Sequence, residues 1–415
     1  MKNNNDLSKF QQKRIPSIVF GMVLFIFLGL MYAWSIFVTP IEQEFGWLRS
    51  DTSNVFSVTI TAFCFGCIAG SKLLSKISPR LLIRCAAVLV CVGLVLTSTV
   101  TKLPVLYCTY GVFCGFGVGF MYNVALTTIP KWFPDMLGKA TGLLLMCYGL
   151  GSMILSTASS VMIQTMGWRT TFKIIGIAFG VIACICAQWV FPPSEEQREY
   201  IIRSKTVKTE QTNRKTVEDV QGLDLSSREM FKRKSWWFYL TWCILVTAAF
   251  LGLIGHAATL SLEIKDSTAI ATFITGSITV ANGVARLIAG ALYDRMPIRK
   301  MMMSISVIFV VAPALLYLAT RIDSIPVLAV GGALLGMAYG GVATTNAFFV
   351  RKFYGDTHYA ENFGILNFSG IIATVMGSTV GGIMQVHFGS YTPVMFYFLI
   401  LSGIAFIANL FVKRP

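Results

Sequence analysis

The sequence predicts an all-α integral membrane protein with twelve transmembrane helices, arranged as two six-helix bundles, and with both termini in the cytoplasm. Composition is the first observation behind this fold class: the chain is 55% hydrophobic and 13% charged, whereas soluble domains carry roughly 25% charged residues. The mean hydropathy is +0.68. The other two observations are recurring apolar runs of membrane-spanning length and basic residues that concentrate in every second connection.

Apolar runs long enough to span a membrane follow one another along the whole chain. A span needs about 20 such residues, and a helix satisfies their backbone polar groups within the segment itself. The first run is too long for a signal peptide and lacks a small-residue cleavage site, so we expect it to remain in the mature protein. The twelve predicted spans cover residues 16–41, 53–74, 80–100, 104–130, 138–164, 170–192, 236–262, 268–292, 299–320, 326–350, 360–386 and 391–412.

Basic residues mark every second connection between the spans. By the positive-inside rule these connections and both termini are cytoplasmic, which requires an even number of spans. The net charge of +15 is therefore explained by membrane orientation, and we expect no nucleic-acid partner. Examples from successive cytoplasmic segments are Lys13, Arg14, Lys72, Lys76, Arg80, Arg84, Lys131, Lys139, Arg295, Arg299, Lys300, Arg351, Lys352 and Lys413.

One polar segment interrupts the apolar pattern after the sixth span. Residues 193–234 carry charges of both signs, which predicts a cytoplasmic linker, partly disordered, between an N-terminal bundle (1–192) and a C-terminal bundle (235–415). The end of this segment, 225–234, is expected to form a short amphipathic helix on the membrane surface.

Residues for catalysis or metal binding do not occur at usable spacing. The ten cysteines all lie in apolar runs without paired CxxC spacing, so we interpret them as packing residues. No Ser–His–Asp, metal-ligand or phosphate-loop pattern is present, so we expect no enzyme, no metal and no cofactor.

Arg286 is the residue that says most about function. It lies about eight residues before a cytoplasmic connection, roughly 12 Å inside the membrane at 1.5 Å per residue. A charge there costs at least ~2.5–3.5 kcal/mol, so the guanidinium should face a watery cavity or an acidic partner. The first six spans hold no acid in their interiors, and Glu263 lies near the outer end of the seventh. This scarcity favours a binding site for an incoming anion over a permanent ion pair, because a guanidinium fork binds a carboxylate through two parallel hydrogen bonds.

Other polar and aromatic residues at similar depth could complete a pocket for a small ligand. Asn282 precedes Arg286 by one helical turn and shares its face. For each tyrosine, simple packing with its hydroxyl on a backbone carbonyl stays an open alternative. The remaining candidates are Tyr32, Tyr122, Asn123, Tyr148 and Tyr339.

His256 and Glu263 are the candidates for proton coupling. His256 is the histidine that falls inside a predicted span, and its ordinary pKa range suits a proton carrier. A buried histidine with satisfied hydrogen bonds is the alternative interpretation.

Glycine-rich stretches in the fourth, fifth and eleventh spans allow helices to approach closely, and these contacts are either surfaces that slide during transport or static packing.

The connection after the eighth span, GALYDRMPIRK (290–300), resembles the signature loop of the major facilitator superfamily. In that family the loop's acid and arginine, here Asp294 and Arg295, clamp cytoplasmic helix ends and release them as the protein changes state. The equivalent first-half stretch, 71–80, has Ser75 at the acidic position.

Several longer stretches are similar to the oxalate/formate antiporter family within this superfamily, a relative of the monocarboxylate transporters. They are YAWSIFVTPI (32–41), GVGFMYNVALTTIPKWFPD (117–135), MFKRKSWWFYL (230–240), NGVAR (282–286) and HYAENFGILNFSG (358–370). The resemblance implies two rocking bundles that give alternating access, with an anion held between basic and aromatic side chains. It implies that Arg286 binds substrate and that Tyr32, Tyr122 and Tyr339 line the cavity.

One position departs from that family. Its oxalate-carrying members have a second cation, a lysine, where this chain has Gly370. A dicarboxylate would then have one carboxylate undercompensated in a poorly hydrated cavity. Charge balance therefore favours a monocarboxylate such as lactate, pyruvate or formate, carried by proton symport or by anion exchange.

The alternatives are an oxalate/formate-type dicarboxylate antiporter and, in a different class, a membrane-embedded ligand sensor without transport. The expected partners are a small carboxylate, protons or a counter-anion, and the lipid bilayer. We expect a monomer in the cell inner (plasma) membrane.

Overall fold

The computed structural model describes residues 4–47, 49–194, 197, 224–265 and 267–413. Throughout these residues the regular structure is helical, without strands. The chain divides into two compact units, Met1–Val220 and Gln221–Pro415, and the division falls within the predicted linker. Residues 195, 196 and 198–223 of that linker lie outside the described residues, and its extent of 193–234 stays a prediction.

The first unit is built from seven described α-helices. A 3₁₀ turn, Gly29–Ala33, continues the first helix into the second, and a π-helical stretch, Tyr107–Cys114, continues the fifth into the sixth. The helices are α1 (Asn4–Leu28), α2 (Trp34–Phe45), α3 (Arg49–Leu74), α4 (Pro79–Thr97), α5 (Leu103–Leu106), α6 (Gly115–Thr128) and α7 (Leu137–Ala187).

The second unit has nine described α-helices. A π-helical stretch, Val375–Thr379, interrupts the helical segment near the C-terminus. The helices are α8 (Ser227–Phe231), α9 (Lys234–Ile264), α10 (Thr268–Tyr293), α11 (Ile298–Ile322), α12 (Ile325–Tyr354), α13 (Tyr359–Leu366), α14 (Ser369–Thr374), α15 (Val380–Phe388) and α16 (Thr392–Leu410).

Eleven helical segments of the described chain are long and apolar enough to cross a membrane. One of them, α7, has 51 residues and is broken at Gly167, whose φ of 77° and ψ of 162° are not helical. At 1.5 Å per residue α7 would measure roughly 76 Å, more than twice the hydrocarbon thickness of about 30 Å. The break falls between the predicted spans 138–164 and 170–192. The chain is a multi-pass, all-helical membrane protein, while the count of twelve spans and the cytoplasmic termini stay predictions.

Two side chains directly after the break, Trp168 and Arg169, connect α7 to neighbouring helices. Glu44 accepts hydrogen bonds from Trp168 Nε1 at 2.6 Å and from Arg169 at 2.7 Å, and Arg169 also donates to Ser98 O at 2.9 Å. The bond from Arg169 is the main cause that lowers the pKa of Glu44 below its ordinary value. A glycine is suited to the positive φ at this bend because it has no Cβ.

The short helix predicted at the end of the linker is present as α8 and docks on the second unit, while its position on the membrane surface stays a prediction. Met230 in α8 is fully buried, and Ser227 Oγ donates to Asn362 Oδ1 at 2.9 Å. Asp224 accepts hydrogen bonds from the side chain and backbone of Thr357, and these bonds lower its pKa. The end of the linker is therefore fixed to α13 and to the turn before it.

Candidate functional site

Arg286 lies inside the second unit and is only 4% exposed. It precedes the last residue of α10, Tyr293, by about two turns, roughly 10 Å. Its Nε donates to Asn282 Oδ1 at 3.2 Å. The two residues thus share one face of α10, as expected, and the hydrogen bond between them orients the guanidinium plane.

The Tyr339 ring lies next to the Arg286 guanidinium, and a second aromatic ring stacks on it. The Cζ of Arg286 lies 5.8 Å from the centroid of the Tyr339 ring, within the range of a cation–π interaction. Tyr339 in turn stacks on Phe250 with 4.0 Å between centroids and 8° between planes. Phe250 was not among the predicted site residues, because one phenylalanine in an apolar helix carries no distinguishing pattern. The arrangement of a buried cation, an amide and flat rings suits a small carboxylate.

Glycines in α12 allow this helix to approach α10 closely. A Cβ added at Gly340 would lie 2.3 Å from Asn282 O, and one at Gly336 would lie 2.5 Å from Ile278 O. Thr344 Oγ1 donates to Arg286 O at 3.2 Å along the same contact. The backbone next to the Asn282–Arg286 pair is therefore positioned by helix packing that only residues without a side chain permit.

Gly340→Ala is expected to lower the melting temperature of the purified protein by several degrees and to impair transport, because the added methyl group would overlap Asn282 O. Overpacking of this kind costs about 1–3 kcal/mol. Gly276→Ala in α10 is the matched control, since its Cβ would have no atom within 4 Å. Thermal unfolding in detergent measures the difference, and equal melting temperatures for the two variants would contradict the packing argument.

In the first unit, the structure brings three predicted tyrosines together. The rings of Tyr32 and Tyr148 lie 5.5 Å apart, and those of Tyr122 and Tyr148 lie 5.2 Å apart. Phe25 adds a fourth ring, 5.6 Å from Tyr122. Tyr122 and Tyr148 are buried, whereas Tyr32 is half-buried. These residues come from α1, α6, α7 and the turn after α1, so helix packing alone creates the cluster.

Asn123 is fully buried next to this cluster in sequence, and it accepts a hydrogen bond from Thr127 Oγ1 at 3.3 Å. This contact runs along α6 to the following turn. Its role as a substrate ligand stays a prediction.

His256 and Glu263 both contact Tyr391, a residue that the sequence analysis did not single out. His256 Nε2 lies 3.1 Å from Ser378 O, and its Nδ1 lies 3.3 Å from the Tyr391 hydroxyl. Glu263 is exposed and accepts hydrogen bonds from Ser390 Oγ at 2.8 Å and Tyr391 N at 3.2 Å. Tyr391 therefore connects the two proton-coupling candidates.

Asp294 and Arg295 directly follow α10 and are both exposed. Arg295 N donates to Leu292 O at 2.9 Å, which closes the helix end. Their predicted part in conformational change stays a prediction.

Comparison with known proteins identifies the family. The sequence profile of the Major Facilitator Superfamily matches residues 19–278 and 257–415. The oxalate:formate antiporter of Oxalobacter formigenes is 24% identical over 387 residues, covering 92% of this chain and 86% of that protein. Human monocarboxylate transporter 2 is 28% identical over 255 residues, covering 58% of this chain and 52% of that protein.

A solved transporter structure has the same fold as this chain. The proton:xylose symporter XylE, bound to 6-bromo-6-deoxy-D-glucose, superposes with a TM-score of 0.72 at 16% identity, covering 97% of each chain. These relatives are transporters and not enzymes. The predicted membership is confirmed: this chain is a transporter of the Major Facilitator Superfamily.

Proposed function

We propose that this protein is a secondary transporter of a small organic anion, most favourably a monocarboxylate of the lactate, pyruvate or formate class. The observation that carries the proposal is the buried Arg286 guanidinium, which is held by Asn282 and faces the Tyr339 ring. A cation buried within a membrane span costs free energy, and such residues mark substrate or ion pathways. A carboxylate is the ligand that matches both its charge and its planar fork.

Charge balance supports the choice among carboxylates. The resemblance to the oxalate/formate antiporter family implies that Gly370 stands where its oxalate-carrying members have a lysine, so a dianion would meet one fixed charge, that of Arg286. Its second carboxylate would lose hydration without a cation to replace it. A monocarboxylate leaves no such uncompensated charge, and one of the relatives is named monocarboxylate transporter 2.

Exchange of oxalate for formate is the second candidate function. It is favoured by the relative named oxalate:formate antiporter, which aligns with 92% of this chain. Both candidates use alternating access, in which Arg286 binds the anion from one side and releases it to the other. They differ in the charge of the substrate and in what returns the empty carrier.

Uptake competition separates these functions. Purified protein in sealed vesicles is expected to take up labelled lactate or formate saturably, and unlabelled monocarboxylates are expected to compete at least tenfold better than oxalate or malonate. An imposed inward proton gradient should accelerate uptake if protons are the coupling ion. Preloading the vesicles with a carboxylate should accelerate it if the protein exchanges anions.

Two other results would contradict the transport of a monocarboxylate. Strong competition by oxalate with acceleration by internal formate would favour dicarboxylate exchange. Saturable binding without uptake, under every gradient, would contradict transport and favour a ligand sensor. His256 and Glu263, linked through Tyr391, are the residues that we propose for the proton route.

A further inference from the structure

A groove between α4 and α7 in the first unit is lined by none of the residues of the tyrosine cluster. Its volume is about 580 Å³. Its floor forms where the two helices touch: a Cβ added at Gly180 would lie 2.9 Å from Cys91 Cβ, and one at Gly176 would lie 2.8 Å from Leu94 Cβ. Larger side chains stand on both rims of this contact, so the surface between them is concave.

The walls of the groove are apolar and exposed. Val88 from α4 is 56% exposed, and Val181 from α7 is 54% exposed. Exposed aliphatic side chains in a predicted membrane span contact lipid chains rather than water.

Polar groups occur at one end of the groove. Arg84 lies about one and a half turns into α4, and Gln188 directly follows the last residue of α7. Throughout the described chain, neither a hydrogen bond nor an ion pair holds the Arg84 guanidinium. The nearby residues Lys76 and Arg80 mark this end as the predicted cytoplasmic side.

The length of the groove matches one leaflet. From Gln188 to Ile177, the deepest lining residue of α7, eleven residues span roughly 16 Å at 1.5 Å per residue. This is about half of the ~30 Å hydrocarbon core, the depth that one acyl chain occupies. The charged end would then lie at the level of the lipid headgroups.

We propose that this groove is a binding site for one anionic glycerophospholipid of the cytoplasmic leaflet. Its phosphate contacts Arg84 and Gln188, and one acyl chain lies along Val88 and Val181. The positive guanidinium selects a lipid with net negative charge, because a surface arginine attracts such headgroups more strongly than zwitterionic ones. The site is independent of the carboxylate site.

Photo-cross-linking in reconstituted vesicles tests the site. The probe is phosphatidylglycerol with a diazirine midway along one acyl chain, and the cross-linked peptides are identified by mass spectrometry. We expect labelling of residues 88–92 and 177–185. Arg84→Gln should lower this labelling about fivefold, the change that about 1 kcal/mol per basic residue represents. A phosphatidylcholine probe should label weakly and be insensitive to this substitution.

Two further variants complete the test. Val181→Trp fills the groove but keeps Arg84, and since Val181 is exposed the fold should tolerate it; it should also reduce labelling. Arg299→Gln removes an exposed arginine from α11 and should change nothing. Equal labelling by the two lipid probes, or unchanged labelling in both Arg84→Gln and Val181→Trp, would overturn the proposal.

Discussion

Arg286→Lys is expected to lower carboxylate uptake about 100-fold while leaving the protein folded. Lysine keeps the positive charge but offers a point charge instead of a planar fork, so the paired hydrogen bonds to the substrate carboxylate are lost. It also removes the Nε donor that binds Asn282 Oδ1. A loss of about 3 kcal/mol, within the range for charge-assisted hydrogen bonds, corresponds to a factor of about 100.

Initial rates of labelled lactate or formate uptake in vesicles measure this effect. Arg299→Lys is the matched control, because it makes the same chemical change at an exposed arginine of α11 and should retain wild-type rates. Size-exclusion profiles check that both variants fold. Uptake near the wild-type rate in Arg286→Lys would remove Arg286 from the site. Absence of carboxylate uptake in the wild type would instead contradict the proposed function itself.

Gly370→Lys is expected to improve recognition of dicarboxylates. A Cβ added at Gly370 has no atom within 4 Å, so the backbone has room for a side chain there. The resemblance to the oxalate-carrying relatives places their lysine at this position. A second cation would compensate the second carboxylate, and we expect oxalate to compete about tenfold better for uptake, equivalent to about 1.4 kcal/mol.

Gly370→Met separates charge from size. Methionine adds a flexible side chain of comparable length without a charge, so oxalate competition should stay at the wild-type level. The measurement is the oxalate concentration that halves labelled monocarboxylate uptake in each variant. If lysine and methionine change oxalate competition equally, the charge-balance argument for a monocarboxylate fails.

The sequence pattern was sufficient to predict those residues that stand out from their immediate neighbours in the chain. Arg286 stands out as a charge within an apolar run, and the contact of Asn282 with it follows from the helical repeat of 3.6 residues. The predicted spans 138–164 and 170–192 also left a boundary between them, and the bend in α7 falls there. The glycine that forms the bend, Gly167, was not singled out.

Two residues that join the site through contacts with other helices were not predicted from the sequence. Phe250 supports the Tyr339 ring from α9, and Tyr391 connects His256 with Glu263 from the loop before α16. Neither has a distinguishing sequence context. The approach of α12 to α10 through Gly340 likewise depends on which faces meet.

The sequence alone determined that the chain is a helical membrane protein and singled out Arg286 as a charge within an apolar span, because polar groups are costly in hydrocarbon and are therefore rare in membrane spans. Tertiary structure decided which tyrosines form one cluster, which ring stacks next to Arg286, and where α4 and α7 leave an apolar groove. Those features arise from contacts between residues far apart in the chain, which depend on helix rotation and close packing rather than on local composition.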